Sequence, residues 1–266
     1  MDKLATYNYL EDYLNEVQSK GRFTVTLEEL KNNFSSTEKA ILQNIYRLKK
    51  KNQLAQVRKG FYVIVPPQYS TRGMLPPTLF IDELMRFLKR DYYIALFSAS
   101  AMHGAGHQQP MLFQVMMKKP PLRSIKNNKL DIHFFIKSYW PKEEIVQIKT
   151  DTGYIHVSSP AATAFDLVQY HQKIGGINRI IPILEELMES MNSSDLKKST
   201  NWQTTPVLQR MGYLLEQMGK EQLASVLYCG LEGRSLRSIP ISLAHKTHTG
   251  VADQKWKIIE NIKLDF

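Results

Sequence analysis

Cysteine is all but missing from this 266-residue chain. Cys229 stands alone, which excludes an internal disulfide and a cysteine-built zinc centre. No run of about 18 apolar residues occurs, so no membrane-spanning helix and no membrane partner is expected. The opening MDKLATYNYLEDYL lacks the apolar block and small-residue cleavage site of a signal peptide, so a cytoplasmic location is expected. Internal repeats and low-complexity tracts are also missing. Acids are in short supply: 25 Asp and Glu face 35 Lys and Arg, a net charge of +10. That imbalance favours a polyanionic partner. Hydrophobic residues at 43% and charged residues at 23% are ordinary globular values, which excludes wholesale disorder.

What is present divides in two. Leu10, Leu14 and Val17, with Tyr7 before them, recur at three- and four-residue spacing, the mark of an amphipathic helix. Gly21 is placed to end it. A short extended piece at Phe23 and Val25 precedes a short helix with Leu27, Leu30 and Phe34 inward. Ser35 and Glu38 stand at the N-cap and N3 spacing of a capping box, opening a helix to about Asn52. Leu54–Val57 and Phe61–Ile64 are β-prone runs around Arg58-Lys59-Gly60, a hairpin signal. Helix, short helix, capped helix and hairpin is the order of a winged helix-turn-helix.

Pro66-Pro67 and Pro76-Pro77 then bracket a Ser/Thr/Gly/Arg stretch that reads as a linker. Beyond it, 78–104 reads as helical. Strands follow at Phe113–Met117, Leu130–Ile136, Ile145–Lys149 and Tyr154–Val157. Helices follow at about 161–173, 177–191, 205–218 and 220–229, with a strand pair within Trp256–Phe266. The fold class is therefore α+β. Its domains are 1–65 as winged helix-turn-helix, 66–77 as linker and 78–266 as a larger α+β domain.

The capped helix has two faces at about 100° per residue. Ile41, Ile45 and Leu48 fall inward. Lys39, Gln43, Tyr46, Arg47 and Lys50 fall outward without one acid among them. From Lys39 through Lys59 there are seven basic residues and no Asp or Glu. An ordinary exposed helix mixes signs to gain i,i+4 pairs; DNA phosphates would supply the counter-charge missing here. Ser36 and Thr37 then sit where a helix start meets phosphate. Gln43 and Arg47 have the chemistry to read adenine and guanine edges. Lys50 and Lys51 suit the backbone, and Arg58 and Lys59 lie at the hairpin tip. A second acid-free stretch holds Lys118, Lys119, Arg123, Lys126 and Lys129. It reads either as further phosphate contact or as a soluble loop.

On these segments the chain resembles the AbiEi-type antitoxins, the transcriptional-regulator half of type IV toxin–antitoxin systems. The winged helix ending in LAQVRKGFYVIVP (Leu54–Pro66) carries the resemblance. So do YYIALFSASAMHGAGHQQP (Tyr92–Pro110) and VSSPAATAFDLVQY (Val157–Tyr170). The resemblance implies a repressor that binds inverted repeats in its own promoter through the winged helix. It implies a nucleotidyltransferase-like toxin from the neighbouring gene, neutralised without a stable complex, in a system that acts in abortive infection. It also places antitoxin activity in the C-terminal domain.

Other chemistries find little support. The chain has no GxSxG elbow, P-loop or HExxH motif, and no catalytic residue, metal or cofactor is expected. Gly104-Ala105-Gly106 lacks a third glycine and reads as a turn. His103 and His107 share zinc-ligand spacing, but the glycines between them break the helix that spacing needs. His245 and His248 lie in a polar loop, and His133 and His156 in strands. The rival readings are a DNA-associated metal-dependent nuclease using Asp131 and a protein-interaction module with a basic face. The Glu144–Lys149 strand supplies no acid-x-Lys pair for the nuclease.

Overall fold

The computed structural model describes residues 3–106, 112–244 and 251–266. His107, His245 and His248, and the side chain of Tyr7, lie outside the described residues.

α1 (Lys3–Ser19) buries Leu10, Leu14 and Val17, as their spacing predicts. Gly21 ends it at φ +76°, its N–H bonded to the Gln18 carbonyl at 2.9 Å; a Cβ would strain that left-handed backbone. β1 (Thr24–Thr26) leads into α2 (Leu27–Asn33) and α3 (Glu38–Lys50). β2 (Leu54–Arg58) and β3 (Phe61–Ile64) form the hairpin. β1 pairs antiparallel with β3, Val25 opposite Tyr62, giving the order β1-β3-β2. Leu30, Ile41, Ile45, Leu48, Leu54 and Ile64 join the α1 residues in one core. This is the winged helix-turn-helix arrangement.

The capping box lies elsewhere than expected. Thr26 and Glu29 form it at the head of α2, the Thr26 hydroxyl accepting from Glu29 N at 3.1 Å. α3 is capped by Thr37, whose hydroxyl accepts from Ala40 N at 3.4 Å. Glu38 is thus the first helical residue rather than the third, and Ser35 stands outside the cap. Glu38 pairs instead with Lys31 at 2.7 Å.

Residues 66–77 are no exposed linker. Short 3-10 turns at Pro67–Tyr69 and Pro77–Leu79 flank Met74 and Leu75, both 2% exposed. Burying two large apolar side chains favours a packed segment over a free one. α4 (Ile81–Phe87) follows, its Phe87 ring 5.3 Å from Phe61 of β3. The Thr24 hydroxyl of β1 donates to Glu83 of α4. The chain accordingly clusters into two compact units at other boundaries than the expected ones. One unit holds 1–92, 115–136 and 147–156; the other holds 93–114, 137–146 and 157–266.

The expected helix over 78–104 is broken. Lys89 adopts φ +54° after α4, then β4 (Tyr92–Ile94) precedes α5 (Leu96–Met102). Tyr93 and Ile94 are fully buried, and an aromatic, β-branched run of that kind suits a strand. β5 (Phe113–Met117), β6 (Ile125–Asn127), β7 (Leu130–Ile136), β8 (Ile145–Thr150) and β9 (Gly153–Ser158) complete the larger sheet, in the order β6-β7-β5-β4-β9-β8. β6 was not expected; it pairs antiparallel with β7, Ile125 opposite Ile132.

The helical series comprises α6 (Pro160–Tyr170), α7 (Ile177–Glu189), α8 (Ser193–Thr200), α9 (Thr205–Gln217) and α10 (Glu221–Cys229). α8 was missed in a polar sequence. Its start is fixed by Asn192, whose side chain accepts from Ser194 N and Asp195 N. In place of a strand pair within 256–266, β11 (Ile258–Ile259) runs parallel to β10 (Ile239–Pro240). Trp256 is fully buried against Gly212 of α9, where an added Cβ would lie 2.1 Å from the ring. Trp140, Trp202 and Trp256 all belong to the second unit.

Candidate nucleic-acid interface

α3 carries its charge outward. Ile41, Ile45 and Leu48 are buried in the winged-helix core, and Asn44 is buried beside them. Lys39, Gln43, Tyr46, Arg47 and Lys50 are exposed on the opposite face. Tyr46 is 56% exposed, and the Lys50 ammonium lies 4.9 Å from the centre of its ring. That stacking holds one cation over the aromatic and needs no acid. Ser36 is half-buried and Thr37 exposed, with the Thr37 hydroxyl already accepting the cap bond. The last turn is partly occupied: Lys51 contacts Glu11 at 3.3 Å, and Lys49 donates to Gln56 at 2.9 Å. Lys39, Gln43 and Arg47 therefore form the least encumbered part of the face.

At the wing tip the two cations differ. Lys59 is exposed. Arg58 is half-buried: its Nη2 donates to the Arg123 carbonyl, and its guanidinium lies 6.0 Å from the Phe134 ring centre. Its Nε is buried without a hydrogen-bond partner, and burial lowers its pKa. Arg58 thus braces the hairpin against the segment after β5, while Lys59 beside it stays exposed. Gly60 turns the tip at φ +80°. Gln56 and Arg58 flank a register shift against β3, a bulge that twists the strand.

The same contact places the second basic stretch beside the wing, which the sequence left open. Lys119, Arg123, Lys126 and Lys129 are exposed. Lys118 pairs with Asp91 at 2.6 Å, Lys126 approaches Asp131 at 3.8 Å, and Lys129 donates to Asn52 at 3.0 Å. Asp131 is also 3.1 Å from His133. Among the described residues no group of three or more His, Cys, Asp or Glu is arranged to hold a metal ion. No described helix is long and apolar enough to cross a membrane.

The second unit holds a buried ion pair. Lys137 and Asp166, 3% and 0% exposed as side chains, pair at 2.5 Å. Lys137 also donates to Gln169 at 2.6 Å and lies 5.0 Å from the Trp202 ring centre. The Tyr93 hydroxyl donates to the other Asp166 oxygen at 3.0 Å. Burial and then the neighbouring Asp166 charge push the Tyr93 phenol well up. No motif flagged this network, because its members lie at 93, 137, 166 and 202 in sequence. His103 is bonded to the Ser158 carbonyl at 2.6 Å, and burial lowers its pKa. Gly104 and Gly106 turn the chain at positive φ after α5.

Comparison with known proteins gives the following. Residues 12–65 match a family model described as a transcriptional regulator, AbiEi antitoxin. Residues 93–217 match one described as the AbiEi antitoxin C-terminal domain. No curated protein matches the chain. Among solved structures, the RV2827C protein from Mycobacterium tuberculosis is similar at TM-score 0.71 and 15% identity, covering 96% of this chain and 92% of that one. At that identity the likeness concerns the fold. An antigenic nucleotidyltransferase-like protein from Paracoccidioides brasiliensis overlaps at TM-score 0.33 and 10% identity, over 55% of this chain and 88% of that one.

Proposed function

Because this chain belongs to the AbiEi antitoxin family, whose members are transcriptional regulators, we propose that it represses its own operon as the antitoxin of a type IV toxin–antitoxin system active in abortive infection. Residues 1–65 dock on promoter inverted repeats, and the α+β remainder carries the antitoxin activity. The partner is a nucleotidyltransferase-like toxin encoded next door, neutralised without a stable complex. The work is regulatory rather than enzymatic, and its setting is the cytoplasm.

One observation carries the DNA half of this reading: the outward face of α3 is exposed and free of acids along Lys39, Gln43, Tyr46, Arg47 and Lys50. In the major groove, Gln43 and Arg47 would address base edges. Ser36, Thr37, Lys39, Lys50 and Lys51 would meet phosphate. Lys59, exposed at the wing tip, would reach the minor groove or its phosphates, with Arg58 holding the tip in place. Lys119 and Arg123 extend the phosphate contact beyond the wing.

Retardation of the chain's own promoter fragment across a salt series tests this. Binding should weaken steeply with salt, as counterion release requires. Arg47→Ala should lower affinity for the promoter far more than for random duplex, whereas Lys51→Ala should lower both alike. Equal losses at Arg47 would remove it from base readout. Salt-independent binding, or none, would remove the reading altogether.

A further inference from the structure

A cavity of about 370 Å³ lies within the first unit, and its named lining includes no residue of α3. Thr78, Leu79 and Phe80 line one side, with Asp82, Glu83 and Arg86 of α4. Gln147 of β8, Thr152, and Gly153 through His156 of β9 line the rest. That volume falls in the range of small-molecule sites.

Its carboxylates are unevenly matched. Asp82 pairs with Arg86, one helical turn on, whose side chain is 73% exposed. The other Asp82 oxygen accepts from the Tyr92 hydroxyl at 3.1 Å and stands 3.7 Å from His156 Nδ1, too far for a hydrogen bond. His156 Nδ1 is buried and has no hydrogen-bond partner. Glu83 accepts from Thr24 through Oε2; its Oε1 accepts no hydrogen bond among the described residues. Burial raises the Glu83 pKa, and the charges of Arg22 and Arg86 only partly offset this. A desolvated carboxylate short of partners favours an incoming cation. Thr78, Gln147 and Thr152 add neutral hydrogen-bonding groups. Exposed Tyr154 offers a ring face at the rim, which suits an alkylammonium.

We propose that this cavity binds a small organic amine, its ammonium held by Glu83 and Asp82 and its polar remainder by Thr78, Gln147 and Thr152. α4 also packs on the wing sheet through Phe87 against Phe61, and through Glu83 on Thr24. An occupant therefore touches the helix that supports the wing. Only that consequence for DNA rests on the function proposed above; binding itself does not.

Calorimetric titration of the full chain without DNA separates the two. Putrescine and spermidine are the probes, with succinate and AMP as anionic controls. The expected result is saturable, one-to-one binding of at least one of the two amines, neither anion binding. Glu83→Gln, which keeps a carbonyl for Thr24, should weaken it at least tenfold. Tyr154→Ala, a surface change, should weaken it several-fold with the thermal midpoint unchanged. Absence of saturable amine binding at millimolar probe, binding of an anion instead, or binding indifferent to both variants would overturn the assignment. A chain that takes up amine but ignores its promoter leaves the site standing and defeats only the repressor reading.

Discussion

The outer face of α3 and the Lys137–Asp166 pair handle charge in opposite ways. On α3, Lys39 and Arg47 point into water with no acid on their own face. In the second unit, Lys137 and Asp166 are sealed from water and fully engaged by Gln169, Tyr93 and the Trp202 ring. An exposed cation is cheap to keep unpaired because water solvates it, so it is available to a partner. A buried ion must find its partners inside, because desolvation otherwise costs several kcal/mol. The first arrangement leaves its charges open to solvent; the second uses them inside the fold.

That contrast sets the order of expected effects. Asp166→Ala strands the Lys137 ammonium in the core and should lower stability by about 3–5 kcal/mol, read by denaturant unfolding. The double replacement Lys137→Met, Asp166→Leu should recover most of the loss. A single-variant change under about 0.5 kcal/mol would erase the distinction between the regions. Arg47→Ala should do the reverse, costing about 1–3 kcal/mol in specific DNA binding and under about 0.5 kcal/mol in stability. A stability loss as large as the binding loss would mean that Arg47 serves the fold. Combined Lys119→Ala and Arg123→Ala should weaken all duplexes alike and reduce the log–log salt slope by about 1.8, two phosphates at about 0.9 each. An unchanged slope would confine the interface to α3 and the wing.

The smallest effect belongs to pH. Burial lowers the pKa of His103 and His171 below 6.5 in the folded chain. Below that value the unfolded chain takes up protons that the folded imidazoles refuse. Their contribution is therefore intact above pH 6.5 and is lost as pH falls toward the folded values. His103→Gln should flatten the decline in denaturation midpoint between pH 6.5 and 5. An unflattened profile would leave that decline to His171 and other groups.

The winged helix was legible in the sequence because its signals are local. The Leu10, Leu14, Val17 spacing and the Ile41, Ile45, Leu48 stripe each lie within one helix, and all six residues are buried. The capping box was misplaced because Ser35, Ser36 and Thr37 all have capping chemistry, and backbone geometry selects Thr37. β4 was hidden because a three-residue apolar run has no period to read. β6 and α8 were hidden in polar sequence, where pairing with β7 and the Asn192 cap decide the outcome. Arg58 looked like a tip cation because its brace, Arg123, lies 65 residues away. The Lys137 network and the α4 cavity are products of tertiary assembly that no spacing announces.

The placement of the three tryptophans has a practical consequence. With Trp140, Trp202 and Trp256 all in the second unit, indole emission is blind to melting of the winged helix. An unfolding curve followed by that emission traces the second unit, while the winged helix needs a separate reporter such as duplex retention. Two curves that part company would show the halves coming undone independently.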